Sequence, residues 1–163
     1  MGTIGDSATV IKYKAAVAAL RTVGDPLKLA HAVRHLGDAY SHAGKATLAE
    51  PCYVEALSIY RVHGNRHPLD LANAVRSYAV LKDQAGAAED ARQLWQEAHD
   101  LYVSVHVPAG VAESGARLAL LARQQGDLQR SREWLDRAIT AAGQADDLET
   151  LRYVHEVKAQ FGL

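Results

Sequence analysis

Apolar and polar positions along this chain recur with a helical period, and they do so in blocks that copy one another. The block Ala30–Tyr60, AHAVRHLGDAYSHAGKATLAEPCYVEALSIY, reads as a helix, a short break and a second helix. Shifted by 42 residues it falls on Ala72–Tyr102, and 40 more reach Ala112–Ala142. Three copies at a near-constant period of this size mark a repeat array, in which each unit buries its apolar flank against its neighbours. The expected fold is all-α.

Capping residues and breakers set the elements. Ser7–Val23 reads as a lone helix that covers one apolar end, with Ser7 as N-cap and Gly24 as its stop. Asp25-Pro26 opens the next helix, which runs to about His42 and stops at Gly44. Thr47 and Glu50 read as a capping box for a helix from Leu48 to about Val62, with Pro51 in its first turn. His67-Pro68 starts the second copy, which breaks at Gly86 and resumes from Ala88 to about Val105. Val107-Pro108 starts the third, which breaks at Gly126, restarts at Asp127 and ends near Gly143. Asp146 with Glu149 is expected to cap a closing helix to about Phe161. The pattern gives one domain over residues 1–163: an end helix at 7–24, repeats at 25–66, 67–106 and 107–144, and a last helix at 146–163, about eight helices in all.

Within the first copy, Val33, Leu36, Gly37 and Tyr40 share one helix face, and Ala49, Tyr53, Ala56 and Leu57 face them. The second copy sets Val75, Tyr78 and Ala79 against Ala91, Trp95 and Ala98. The third sets Leu118, Ala119 and Ala122 against Ser131, Leu135 and Ala138. Trp134, beside Leu135, reads as a repeat-to-repeat contact, with a surface anchor as the alternative. The run Leu36-Gly37-x-x-Tyr40, then Gly44, Ala49, Tyr53 and Ala56, resembles the tetratricopeptide repeat. The longer period and His67-Pro68 are similar to the variety found in kinesin light chains and their bacterial relatives. The resemblance implies a right-handed α-solenoid of three helical hairpins with a helix at each end. It also implies a protein-interaction role, without naming the partner.

Composition narrows the classes. Apolar residues make up 48% and charged ones 23%, which suits a folded, soluble chain. The net charge of −1 carries no run of one sign, against nucleic acid or an anionic membrane as partner. A single cysteine, Cys52, makes no internal disulfide and is expected to be a small buried side chain. No apolar run approaches a membrane span, and MGTIGDSA lacks a signal peptide's regions and the myristoylation pattern. A cytoplasmic protein is expected.

In such arrays the first helix of each hairpin lines the concave side. The candidate binding residues are therefore His31, Arg34, His35 and Asp38, then Asn73, Arg76, Ser77 and Asp83, then Arg117, Arg123, Arg152 and Tyr153. Arginine on every first helix suits a protein or peptide partner that carries carboxylates. Removing Arg34 and Arg76 is then expected to shift stability by no more than the ~0.5 kcal/mol of surface changes. Some tetratricopeptide domains clamp a chaperone's C-terminal carboxylate. Arg34 and Arg117 fit that clamp, but Asp38, Ser77 and Glu113 do not.

His31, His35, Asp38 and His42 lie at offsets 0, 4, 7 and 11, within an arc of ~60° on one face of a helix. Two of them one turn apart can chelate zinc, or titrate near neutrality. A straight line of four cannot close around one ion, so no cofactor is assigned. His63 and His67 share the spacing, but Gly64 interrupts any helix between them. Phosphate loops, nucleophile elbows and paired carboxylates are absent, and no enzyme activity is expected. The alternative role is a self-associating scaffold, a homo-oligomer joined through the ends of the array.

Overall fold

The computed structural model describes residues 7–63 and 67–162. The readings that rest on MGTIGD and on Gly64 lie outside these residues. The described residues form eight helices and no strand: α1 (Ala8–Val23), α2 (Pro26–His42), α3 (Ala46–His63), α4 (Pro68–Gln84), α5 (Ala88–Ser104), α6 (Pro108–Gln124), α7 (Leu128–Gln144) and α8 (Leu148–Gln160). This is an all-α helical-repeat solenoid. The chain divides into two compact units, Met1–Leu81 and Lys82–Leu163.

The hairpin turns share one chemistry. At the end of α2, Gly44 takes φ 70°. Its N–H donates to the Ser41 carbonyl and that of Lys45 to the Tyr40 carbonyl, both at 2.9 Å. This is the left-handed glycine stop that satisfies the last carbonyls of a helix. The same pair of bonds recurs around Gly86 and Gly126. Between α5 and α6 the equivalent position is held by His106, a non-glycine residue at φ 55°. The N-caps Ser7, Asp25 and Asp127 each accept a backbone N–H three residues on, as expected.

Two capping expectations are corrected. Helix α3 begins at Ala46 rather than Leu48, and Lys45 supplies the carbonyl that accepts from Leu48 and Ala49. Glu50 instead accepts from the Tyr78 hydroxyl at 2.7 Å, a tertiary bond that takes it away from a local box. Pro51 consequently lies inside α3, beyond its first turn. The cap of α8 is Asp147, one residue after Asp146; its carboxylate accepts from the N–H groups of Glu149 and Thr150.

In the first unit, α2 packs on α3 and α1 on α2. Tyr53 and Val33 are almost wholly buried, with Ala49 and Ala56 fully so. A Cβ at Gly37 would stand 2.9 Å from Tyr53 Cε1, so glycine is what lets that ring lie against α2. Cys52 is half-buried rather than enclosed, its thiol donating to the Leu48 carbonyl, and burial raises its pKa. The second unit closes α5, α6, α7 and α8 around Trp95, Leu135, Val154 and Val157. Trp134 is buried there, as the packing reading required. Ser131 stands where the first repeat has Ala49, and its buried hydroxyl donates to the Ala119 carbonyl at 2.7 Å. The drift from alanine therefore leaves no orphaned polar group. Lys82, at the position of Tyr40, reaches Asp90 at 3.6 Å.

Candidate functional site

The expected binding residues fall into two clusters, one in each unit. In the first, Arg34 Nη1 donates to Asp38 Oδ2 at 3.0 Å, and the Tyr53 hydroxyl donates to Asp38 Oδ1 at 2.9 Å. Arg34 Nη2 lies 2.9 Å from His35 Nε2. A guanidinium only donates, so His35 Nε2 accepts and its proton sits on Nδ1, which faces Asp38 Oδ2 at 3.5 Å. Burial holds the His35 pKa below its ordinary value, aided by the charges of Arg34 and His31 and opposed by Asp38. Burial and the Asp38 charge push the Tyr53 phenol far above its usual range.

Arg34 lies beside His35 and Asp38, but it is no surface residue. Its side chain is only 13% exposed. Removing it would strand the Asp38 carboxylate, so the expectation of a near-neutral change is corrected for Arg34: the cost of an unpaired charge exceeds that of surface substitutions. His31 is exposed, and Asn73, Arg76 and Ser77 lie half-buried on α4.

In the second unit, Arg117 Nη1 lies 3.4 Å from Asp83 Oδ2. Its guanidinium stands 5.8 Å from the Trp95 ring centre and 5.4 Å from that of Tyr153. This is the geometry of a cation held against aromatic faces. Burial raises the Tyr153 pKa. Arg123 donates to the Gln160 carbonyl and lies 4.7 Å from the Phe161 ring centre, so it ties α6 to the end of α8. Arg152 is exposed on α8. Asp38 and Asp83 thus fix one arginine in each unit as a half-neutralised, oriented donor.

Comparison with known proteins bears on the fold. The tetratricopeptide-repeat family model matches residues 34–63, the second half of α2 and all of α3. The chain has a tetratricopeptide-repeat fold. Among solved structures it is similar to BtubC (BKLC) from P. vanneervenii, at 19% identity and TM-score 0.70, over 93% of this chain and 72% of that one. It is similar to the apo form of RapI, at 14% identity and TM-score 0.76, over 94% of this chain and 44% of that one. A putative kinesin light chain of Podosopora anserina with nearly identical TPR-like repeats gives 15% identity and TM-score 0.69, over 93% and 77%. At these identities the likeness is one of fold. No curated protein sequence matches the chain. Tetratricopeptide repeats serve in general as protein-interaction modules without chemistry of their own, and no described helix is long and apolar enough to cross a membrane.

Three features of the repeats were not foreseen. Tyr13 of α1 stacks on His35, with ring centres 5.2 Å apart, so the end helix touches the first cluster directly. Beside it, α1, α2 and the start of α4 enclose an open pocket of about 420 Å³ lined by Tyr13, Ala16, Leu20, Leu27, His31 and His67. In the second unit His99 is buried, its Nδ1 3.1 Å from the Ser114 hydroxyl. That hydroxyl donates to the Gly110 carbonyl at 2.6 Å, so it accepts from His99 Nδ1–H. The His99 ring meets Trp134 edge-on at 4.9 Å, and Arg137 covers the Trp134 ring.

Burial lowers the His99 pKa, Arg137 adding to the effect while Asp100 and the Val111 carbonyl oppose it. A histidine whose folded pKa is depressed contributes stability that is complete above its unfolded pKa of about 6.5 and is lost as pH falls below it. The urea midpoint of the wild type is therefore expected to drop between pH 7.5 and pH 5.5. His99→Gln, which keeps a hydrogen-bonding side chain without titrating, is expected to show a smaller drop; an equal one would remove His99 from the explanation.

Proposed function

We propose that the chain is a protein-binding module without catalytic activity, and that it captures a protein or peptide segment through the outward faces of its first-type helices. The observation that carries this is the Arg117 guanidinium: held by Asp83, flanked by Trp95 and Tyr153, yet with its side chain 34% exposed. A side chain ordered before it meets its partner loses less entropy on binding, which is the energetic advantage of preorganisation. In the first unit Asp38 likewise holds Arg34, whose side chain is more deeply set. The pocket beside His31 suits an apolar side chain of the captured segment. Because Asp38 and Asp83 already hold the two arginines, an acidic partner must compete with them. Exposed Arg152 is a further arginine for its carboxylates.

The test is capture from lysate with the double variant Arg117→Gln, Arg152→Glu, set against Arg132→Glu on exposed α7 as control. A partner held by the wild type and the control but lost from the double variant, with melting temperatures within a few degrees, supports the reading. Equal capture by all three rejects it.

Self-association is the second reading, favoured by the outer face of α1, where Ile11 is 58% exposed and Ala8, Ala15 and Ala18 lie beside it on the helix. It requires a mass in solution that is a multiple of 17.6 kDa and that reverts in Ile11→Glu.

A further inference from the structure

We propose that His31 and His35 form an open two-histidine site for a borderline first-row divalent cation, zinc or copper in class. The residues lie one turn apart on α2 and bring their Nε2 atoms to 3.1 Å. Two nitrogens at that separation, each about 2.0–2.1 Å from one ion, subtend roughly 95–100°, between the octahedral and tetrahedral angles. A hydrogen bond joins the two atoms in the metal-free chain, and it already holds them at the spacing one ion would need.

The surroundings of His35 add a second, independent feature. Its other ring nitrogen faces Asp38 Oδ2 at 3.5 Å, and Asp38 is itself fixed by Tyr53 and Arg34. A carboxylate behind a histidine fixes the ring's orientation and tautomer and strengthens the opposite nitrogen as a donor to a metal. Tyr13 stacks on the flat face of His35 and leaves the ring edge that carries Nε2 to meet His31. His31 is exposed, so the pair can be reached from solvent.

The donor set and its neighbours select the ion. Imidazole suits zinc, nickel and copper, whereas magnesium and calcium require oxygen ligands. Arg34 Nη2 competes for His35 Nε2 at 2.9 Å. It must swing aside on binding, while Nη1 keeps Asp38. The proton shared between the two Nε2 atoms moves to His31 Nδ1, so both rings bind in the neutral form and no proton need be lost. Among the described residues no group of three or more His, Cys, Asp or Glu side chains is placed to hold an ion. The protein therefore supplies two ligands, and water or a donor from a docked partner fills the other positions. The site stands whether or not that face binds a protein.

Titration of the chelator-treated full chain with zinc chloride and with copper chloride tests this by calorimetry. The expected result is one ion per chain, copper tighter than zinc, with magnesium giving no heat. His31→Ala and His35→Ala are each expected to weaken zinc at least tenfold, whereas His42→Ala leaves it unchanged. His31 is exposed, so His31→Ala retains the fold, as its melting curve will verify. Wild-type affinity in that variant, or no heat with either metal in the wild type, overturns the proposal.

Discussion

Trp95→Ala lowers the stability of this chain by about 3–5 kcal/mol, the cost of deleting a buried aromatic ring and leaving its cavity. Trp95 has no exposed surface and is the largest fully buried side chain. It sits on α5 at the position that Tyr53 holds on α3 and Leu135 on α7, where a large side chain fills the space between small ones. The ring also lies against Arg117, so its loss frees one side of that guanidinium. Trp95 Nε1 has no hydrogen-bond partner, which means that truncation strands no acceptor and the cost is one of packing. Against a total of roughly 5–15 kcal/mol for a native domain, the loss is large. Urea denaturation followed by circular dichroism measures it. Trp134→Ala is the comparison, and a loss there as great as that for Trp95→Ala would contradict the assignment of Trp95 as the centre of the second unit.

Gly110→Ala is expected to destabilise by about 1–3 kcal/mol, the range for overpacking a tight interior. A Cβ at Gly110 would stand 2.4 Å from Tyr102 Cγ and Cδ1 and 2.6 Å from Cδ2, directly over the ring. Tyr102 is 3% exposed and has nowhere to retreat, so α5 and α6 must part. Helix propensity alone argues the other way, since alanine is favoured over glycine by about 1 kcal/mol inside a helix. Gly143→Ala isolates that intrinsic preference: it is exposed in the last turn of α7, with nothing within 4 Å of the added Cβ. That variant should be neutral or stabilising. Opposite signs for one substitution at two helical glycines would show that α5 and α6 meet through Gly110. Tyr102→Leu should recover part of the loss in a double-mutant cycle, because the two residues share one contact. Equal effects at Gly110 and Gly143 would refute the close approach.

The fold was legible because its signals are short-range and repeated. Gly44, Gly86 and Gly126 mark the hairpin turns, Asp25 and Asp127 the starts, and Gly37 opposite Tyr53 the contact within a hairpin; each rests on backbone geometry or on helical spacing. What failed was local pattern overruled by a distant partner. Thr47 and Glu50 match a capping box, but Tyr78, 28 residues away, takes the glutamate. Arg34 matches a surface position by helix phase, but Asp38 one turn on and Tyr53 from the facing helix draw it inward. The i, i+4 pairing of Arg34 with Asp38 was readable from spacing alone. The stacking of Tyr13 on His35 and the bond of His99 to Ser114 were not. They depend on the register between two helices, which a single helix's period does not fix.

The central claim is that partners meet the outward faces of α2, α4, α6 and α8, while the second-type helices serve packing. Hydrogen–deuterium exchange of the chain with and without its captured partner tests that claim most directly. New protection is expected in peptides covering Arg34–Asp38, Asn73–Ser77, Glu113–Arg117 and Arg152–Glu156, with α3, α5 and α7 unchanged. Protection confined to α3, α5 and α7, or to α1, would contradict it.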